Sequence, residues 1–135
     1  MSKKFWIAVA VTFVLLYALE FITHALILSS FYDAHPDGLL PDEQMMPRMW
    51  AMIAGFLIWA FLWTYLFNRL ATKKNPAKGI HHGVSYMILM FVPTGFINYA
   101  TLQINGWAYL WWAVSAVIMG AIIGAVQGVI LRGEE

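Results

Sequence analysis

The 135-residue chain contains no cysteine, which excludes disulfide bonds, thiolate metal ligands and thiol chemistry. Only 11% of its residues are charged, less than half of the about 25% that is typical of a soluble domain. The few lysines and arginines form no basic cluster of the kind that binds nucleic acid. The scarcity of charge and the lack of cysteine therefore argue against a soluble enzyme, a thiol enzyme and a nucleic-acid-binding protein.

Hydrophobic residues make up 61% of the chain and fall in long runs. A run of about 20 apolar residues, at about 1.5 Å per residue, matches the ~30 Å hydrocarbon core of a bilayer. Four such runs occur, at about 5–30, 49–70, 79–102 and 107–131. Backbone groups in lipid must be hydrogen-bonded within their own segment, so these runs predict helices. We therefore expect one all-α domain over 1–135, an integral membrane four-helix bundle whose main partner is the lipid bilayer.

The first apolar run follows Lys3 and Lys4, as the apolar region of a signal peptide would. It continues to about Ser30, beyond the usual about 7 to 15 residues, and no small-x-small cleavage site ends it. We expect an uncleaved first span.

Positive charges distinguish the two sides of the predicted bundle. Short connections make consecutive spans antiparallel, and seven of the eight lysines and arginines then lie on one side, with only Arg48 on the other. The seven are Lys3, Lys4, Arg69, Lys73, Lys74, Lys78 and Arg132. The opposite loop, residues 31–48, carries Asp33, Asp37, Asp42 and Glu43. The positive-inside rule predicts that both termini are cytoplasmic. We expect the protein to reside in a bacterial inner membrane with this orientation.

A glycine ridge marks the fourth span, where Gly120, Gly124 and Gly128 recur every four residues. Such a ridge lets another helix approach closely and gain packing contacts that lipid cannot offer. The partner helix belongs either to the same chain or to a second copy, so a homodimer or a larger membrane complex stays open. Within the chain, the expected partner is the small-residue face of the second span, formed by Ala51, Ala54 and Gly55.

The third span contains Pro93, Thr94 and Gly95 in succession. Proline cannot donate to the carbonyl of Leu89, so a local bend is expected. The bend is either a hinge or a tolerated membrane proline.

Glu20 and His24 lie four residues apart inside the first run, on the same helix face as Tyr17. Glu20 lies about 22 Å from the cytoplasmic end, in the outer half of the bilayer. A central carboxylate costs about 2.5 to 3.5 kcal/mol on insertion scales, whereas an exposed helical ion pair returns only about 0.3 to 0.5 kcal/mol. We therefore expect Glu20 to face a polar interior.

Helical indexing of the third span places Asn98 at the depth of His24, with Tyr99 beside it. Tyr17, Glu20, His24, Asn98 and Tyr99 therefore form the predicted polar pocket in the outer leaflet. Two interpretations stay open. The pocket is a functional site, as intramembrane ionisable residues often indicate, or its acid and imidazole form a buried pair that fixes helix register.

Histidines at two depths argue against a shared metal centre. His81 and His82 begin the third span about 20 Å below Glu20, far beyond metal–ligand distances of about 2 to 2.6 Å. Di-iron bundles use an E-x-x-H spacing with further carboxylates, and the sequence has neither. We predict no metal site, no cofactor and no catalytic residue.

The spacing of Glu20, His24, Leu28 and Tyr32, followed by MMPRMW, resembles a pattern in small four-span bacterial membrane proteins without assigned function. The resemblance covers mainly the first 50 residues and implies no activity.

The chain also resembles the small multidrug resistance transporters in its length, its four spans, its buried first-span glutamate and its glycine-rich fourth span. This resemblance implies that Glu20 exchanges protons for substrate and that the ridge of Gly120, Gly124 and Gly128 forms a dimer face. The long acidic loop, the strong charge bias and His24 depart from that family.

Together these observations predict a small non-enzymatic inner-membrane protein, either an accessory subunit or a stand-alone bundle, with a polar pocket on its outer side. The first alternative is a proton-coupled small-molecule transporter that uses Glu20. The second alternative is a metal- or haem-dependent membrane enzyme.

Overall fold

The computed structural model describes residues 1–35, 40–102 and 105–134. Over these residues the regular structure is entirely helical. The six α-helices are α1 (Lys3–Phe21), α2 (Ser29–Ala34), α3 (Asp42–Met45), α4 (Met49–Leu70), α5 (Pro76–Thr101) and α6 (Gly106–Ile130). Asp37 of the acidic loop and residues 103–104 of the last connection lie outside the described residues.

Four helical stretches are long and apolar enough to cross a membrane, which confirms the sequence-based count and indicates a multi-pass membrane protein. These stretches are Lys3–Ile27, Glu43–Leu70, Pro76–Thr101 and Gly106–Ile130. The second stretch joins α3 to α4 through the 3₁₀ turn Met46–Arg48, so helix already occupies part of the segment treated as the outer loop.

Polar caps define where three of these helices begin. The side chains of Ser2, Asn75 and Asn105 each accept a hydrogen bond from a backbone N–H in the first turn of the following helix. Such caps satisfy donors that a helix start leaves unpaired. Pro76 follows Asn75 at the first helical position, where its missing N–H is no loss. The third span therefore begins three residues before the start expected at Gly79.

The first span is not one continuous α-helix. Residues Ile22–Ile27 form a π-helical segment, and the Leu28 N–H donates to the Thr23 carbonyl five residues earlier at 2.9 Å. A π-helical turn accommodates an extra residue and often occurs at functional sites. The chain then leaves regular geometry at Leu28 before α2 begins. The uninterrupted run expected to reach Ser30 therefore divides before its outer end.

Glycines bring α5 and α6 into close backbone contact. Gly79 and Gly83 on α5 face Gly124 and Gly120 on α6, and a Cβ added to any of the four would approach an opposing backbone oxygen closer than 3.0 Å. Gly128 likewise lies against the backbone at the start of α5. The two helices can approach this closely only because these positions carry no side chain.

The partner of the ridge differs from the expected one. A Cβ added to Gly55 would meet no atom within 4 Å, and Ala51 is exposed. The third span offers the better match because Gly79 and Gly83 have the same four-residue spacing as the ridge. The ridge is covered within the chain, so it is not free to form the dimer face that the transporter resemblance implies.

A buried polar contact joins α1, α4 and α6. The Gln127 side-chain amide donates to the hydroxyls of Thr12 at 2.8 Å and Thr64 at 2.9 Å. All three residues are at most 1% exposed. The four long helices also share a buried apolar cluster, which includes Leu16, Ala60, Trp63, Met87, Ala116 and Ile123.

The two ends of the molecule differ in how tightly they pack. Lys4 donates to the Arg132 carbonyl at 2.9 Å, so the start of α1 lies beside the segment that follows α6. This end of the molecule is here called the terminal end, and the end near Tyr32 and Trp112 is called the loop end. No residue of α5 beyond Met87 is buried, and Phe96 is 75% exposed. The helices therefore pack closely at the terminal end and leave space at the loop end.

α5 remains helical through Pro93. The Thr94 hydroxyl donates to the Met90 carbonyl at 2.6 Å, a bond that threonine commonly makes to the carbonyl four residues earlier in a helix.

Aromatic rings connect α4 to α5 on the terminal side of the proline. Trp63 and Tyr86 stack with ring centroids 5.1 Å apart, and Trp59 and Phe91 at 5.8 Å.

Candidate functional site

Glu20 and His24 are in contact at the loop end. Glu20 lies in the last turn of α1, and His24 lies in the π-helical segment that follows. The Glu20 Oε2 atom is 3.0 Å from the His24 Nε2 atom. The His24 side chain is 39% exposed and the Glu20 side chain 16%, so the carboxylate is the more buried partner.

A tyrosine and a tryptophan extend this pair across the fold. The Tyr32 hydroxyl lies 2.5 Å from His24 Nδ1, and the Trp112 indole N–H donates to the same hydroxyl oxygen at 2.7 Å. The His24 and Tyr32 rings stack at an interplanar angle of 4°. Glu20, His24, Tyr32 and Trp112 are called the polar network below; it links α1, the π-helical segment, α2 and α6.

The donors and acceptors of the polar network fit one consistent arrangement. An indole N–H can only donate, so the Tyr32 oxygen accepts from Trp112 and its own O–H is free to donate to His24 Nδ1. With His24 in its neutral form, the one ring proton would lie on Nε2 and be donated to the Glu20 carboxylate, so that each contact pairs a donor with an acceptor.

Tyr32 lies in α2, outside the four membrane-crossing stretches. Burial raises the pKa of its phenol above the ordinary value, the hydrogen bond from Trp112 lowers that pKa, and the Glu20 charge raises it again. The net effect is a raised pKa. Tyr32 is therefore protonated at neutral pH and keeps the O–H that it donates to His24.

Two cavities meet at the Glu20–His24 pair. The first, of about 330 Å³, is here called the methionine cavity; besides the pair, its walls include Tyr17, Phe21, Met45, Met49, Met52 and Phe56. The second, of about 150 Å³, is the α6 cavity, which Phe91, Trp112, Ser115 and Met119 complete. The acid and the imidazole thus form a wall that both cavities share.

A larger apolar groove of about 540 Å³ lies between α4 and α5. It shares Met52 and Phe56 with the methionine cavity and Phe91 with the α6 cavity. Gly55 lines the groove, and the space beside it is open, since a Cβ added there would meet no atom within 4 Å. The three spaces are therefore neighbours in the loosely packed half of the fold.

The structure brings together three of the five residues predicted for the polar pocket. Tyr17, Glu20 and His24 line the methionine cavity, and the Tyr17 ring meets the Phe56 ring edge-on at 6.3 Å. Tyr99 lies elsewhere: it is 66% exposed and adjoins Gly106 at the start of α6.

Asn98, the other residue of α5 predicted for the polar pocket, does not join the Glu20–His24 pair. Over the described residues its side chain makes no hydrogen bond to Glu20 or His24. The physical reason is the arrangement of the helices around the bundle. α1 packs against α4 and α6, whereas α5 packs against α6, so equal depth on α1 and α5 does not bring side chains together.

Sequence reasoning did not place Tyr32 and Trp112 in the site. Tyr32 had a signal, because Glu20, His24, Leu28 and Tyr32 recur every four residues. Trp112 had none, since it is one of several aromatic residues near the start of the fourth span. Only the folding of α1 against α6 selects it from its neighbours.

His81 and His82 lie far from this site, near the start of α5. The centroid of the His82 ring lies 5.1 Å from that of Phe67 and 6.2 Å from that of Tyr86. In the part of the chain that the structure describes, no group of three or more His, Asp or Glu side chains could hold a metal ion.

Comparison with known proteins finds no matching family model, curated protein or solved structure. The polar network and the cavities that adjoin it are therefore the features of the fold that bear on function.

Proposed function

We propose that the protein is a small, non-enzymatic, multi-pass protein of a bacterial inner membrane that binds a small ligand in an outer-leaflet pocket. One observation carries this proposal: Glu20 and His24 form the wall shared by the methionine cavity and the α6 cavity. An ionisable pair inside a membrane-crossing segment is a functional-site hypothesis by default. The two cavities beside the pair provide space in which a ligand could contact it.

The architecture in this proposal is an antiparallel four-helix bundle with both termini in the cytoplasm. Three contacts between the first 32 residues and the fourth span support it. From the terminal end to the loop end, the residue number rises in the first segment and falls in the fourth span, as antiparallel helices require. Lys4 meets Arg132, Thr12 meets Gln127, and Tyr32 meets Trp112. The excess of lysine and arginine at the terminal end supports the orientation.

The Glu20 carboxylate has capacity for a ligand. A carboxylate accepts up to about four hydrogen bonds, yet over the described residues Glu20 has one side-chain partner, His24. A donor group on a ligand in the methionine cavity would add a second partner. The cavity volume of about 330 Å³ falls within the range of about 300 to 1,000 Å³ for small-molecule sites.

A purely structural pair is the competing interpretation. The polar network does connect α1 and α2 to α6, and such buried networks also fix helix register. Fixing register requires no open cavity on either side of the pair, because close packing would serve it better. The two cavities therefore favour a ligand site.

Native mass spectrometry of protein purified in mild detergent tests this proposal. We expect wild-type protein to carry a small molecule that Glu20→Gln loses and that Glu43→Gln, which removes an acid outside the cavity, retains. A wild-type mass equal to that of the bare chain, or the same ligand retained by Glu20→Gln, would contradict the proposal.

Proton-coupled transport is a second candidate, because one titratable carboxylate lines spaces on two sides of α1. A carboxylate in that position could take a proton from one space and a substrate from the other. Glu20→Gln should then abolish proton-linked uptake into membrane vesicles while wild-type protein sustains it. Uptake that is unaltered by the substitution would remove this candidate.

Partners of the protein are bilayer lipids and either a second copy or a larger complex. One exposed apolar surface that suits such a contact lies on the loop-end half of α5, where Leu89, Phe96 and Ile97 are at least 62% exposed. The same native mass spectrum reports copy number, which separates a stand-alone chain from an accessory subunit.

A further inference from the structure

Methionines are concentrated beside the Glu20–His24 pair. Four of the eight methionines of the chain fall within residues 45–52. Three of these, Met45, Met49 and Met52, line the methionine cavity together with Glu20. Their spacing of four and three residues places them on one side of the helical stretch Glu43–Leu70.

These methionines do not act as ordinary core filler. Methionine commonly fills irregular gaps in a core, and Met87 and Met119 do so here at 0% and 3% exposure. Met45 and Met52 are instead 43% and 38% exposed, and an open cavity remains between them and Glu20. Their thioethers therefore border space that a ligand can enter.

Thioether chemistry restricts the class of that ligand. A thioether is a soft, neutral donor that favours Cu(I) and has little affinity for hard cations such as Mg²⁺ or Ca²⁺. It has no proton to lose, so binding needs no prior deprotonation. Hard and borderline ions would need carboxylates and imidazoles, and the described residues provide no group of three such side chains.

We propose that the methionine cavity is a binding site for a soft monovalent metal ion, Cu(I), held by the thioethers of Met45, Met49 and Met52 and balanced in charge by Glu20. The inference rests on the proposed function, because it names the ligand class of the same pocket. One positive ion beside one carboxylate leaves no net charge in a medium where unbalanced charge is costly. A divalent ion would leave an unbalanced positive charge.

Anaerobic titration of the full-length protein in detergent with Cu(I), after a chelator has removed any metal bound during purification and in competition with a chromogenic Cu(I) chelator, tests this site. We expect wild-type protein to bind a single Cu(I) ion per chain. Met49→Leu and Met52→Leu keep side-chain volume nearly constant and should each lower the affinity by about tenfold or more, since loss of supporting groups alone costs about 10- to 100-fold in metal sites. Met46→Leu is the matched control: Met46 is 66% exposed and is not part of the cavity wall, so its affinity should stay at the wild-type value.

Three results would overturn the inference. They are no Cu(I) binding by wild-type protein, an equal loss of affinity in Met46→Leu, and Zn²⁺ binding as tight as Cu(I) binding. Far-UV circular dichroism of each variant confirms that it remains helical, so a loss of binding is not a loss of fold.

The outcome is separable from that of the proposed function. An organic ligand that depends on Glu20 in the native mass spectrum, together with no Cu(I) binding by wild-type protein, would leave the pocket in place and remove the metal. Cu(I) binding that depends on Met49 and Met52 but is unchanged in Glu20→Gln would remove the carboxylate from the site and contradict the charge-balance argument.

Discussion

At the scale of single residues, Gln127 shows how the fold handles a polar group in its interior. Its amide nitrogen donates to Thr12 and Thr64, while its carbonyl oxygen is buried without a hydrogen-bond partner among the described residues. A buried polar atom without a partner costs free energy, whereas the satisfied nitrogen contributes a little. The residue therefore connects three helices at a net benefit smaller than its two hydrogen bonds imply.

Because the Gln127 nitrogen is paired and its oxygen is not, replacing one threonine partner should destabilise the fold more than replacing the glutamine itself. Thr64→Val strands one amide N–H and should lower the free energy of unfolding by about 1 kcal/mol. Gln127→Met removes the unpaired oxygen together with both hydrogen bonds, and the Thr12 and Thr64 hydroxyls can then donate to a carbonyl four residues earlier in their own helices. It should therefore cost less than Thr64→Val. Unfolding by SDS in mixed micelles measures both values, with Thr101→Val as the control because that hydroxyl bonds only to the Ile97 carbonyl of its own helix. A larger loss in Gln127→Met would contradict the argument.

Tyr32 predicts a pH dependence at the same scale. Burial raises its pKa in the folded protein, so its contribution to stability is complete below the ordinary tyrosine pKa of about 10 and is lost as pH rises through the raised folded value. Wild-type protein should therefore lose stability more steeply than Tyr32→Phe as the pH rises above about 10. Tyr99→Phe, at an exposed tyrosine, should follow the wild-type curve. Parallel curves for wild type and Tyr32→Phe would show that Tyr32 does not titrate in this way.

At the scale of whole helices, the contact of α5 with α6 depends on glycines, which have no side chain to keep the two backbones apart. Gly79 and Gly83 meet Gly124 and Gly120 at backbone distance, and close approach gains dispersion contacts that lipid cannot replace. Beyond Met87 the same helix has no buried residue. The glycine contact therefore holds α5 closely at the terminal end, while its loop-end half packs more loosely.

The two halves of α5 provide a matched pair of substitutions. Gly83→Ala places a Cβ against the Gly120 backbone and should destabilise the fold by about 1 to 3 kcal/mol through overpacking. Gly95→Ala meets nothing within 4 Å and should be neutral, or stabilising by up to about 1 kcal/mol, because alanine favours helix over glycine. SDS unfolding in mixed micelles compares them, and equal effects at both positions would contradict the assigned packing.

The π-helical segment is the second element that decides the site. It follows Glu20 directly and contains His24, and it ends at Leu28 before α2 begins. This break is what allows Tyr32 to return to His24 and accept from Trp112. An uninterrupted α-helix would have carried Tyr32 farther along the axis, about 12 Å beyond His24 at 1.5 Å per residue.

At the scale of the whole molecule, tight and loose packing are segregated. The terminal end contains the glycine contact, the Gln127 cluster and most of the positive charge. The loop end contains the polar network and the cavities beside it. This division suits a fixed scaffold that holds an accessible pocket on one side of the membrane.

The proposed orientation can be tested directly because the chain has no cysteine. Single substitutions Asp33→Cys and Lys73→Cys place a thiol at exposed positions near the loop end and the terminal end. A membrane-impermeant maleimide added to intact cells should label Asp33→Cys alone, and both variants should react once the membrane is opened. Labelling of Lys73→Cys in intact cells would reverse the orientation.

Much of the helical architecture follows from the sequence alone. Low charge and four long apolar runs are sufficient for four membrane-crossing helices, because hydrocarbon thickness and backbone hydrogen bonding act on each segment by itself. The proximity of Glu20 to His24 follows in the same way, since a four-residue spacing is a local property of helix.

Lateral position was decided only by the tertiary structure. Gly79 and Gly83, not the small residues of the second span, cover the glycine ridge, and Trp112, not Asn98 or Tyr99, completes the polar network. Depth along a helix accumulates residue by residue and can be counted from sequence. The choice of neighbour depends on how four surfaces fit simultaneously, and that fit is a property of the assembled fold.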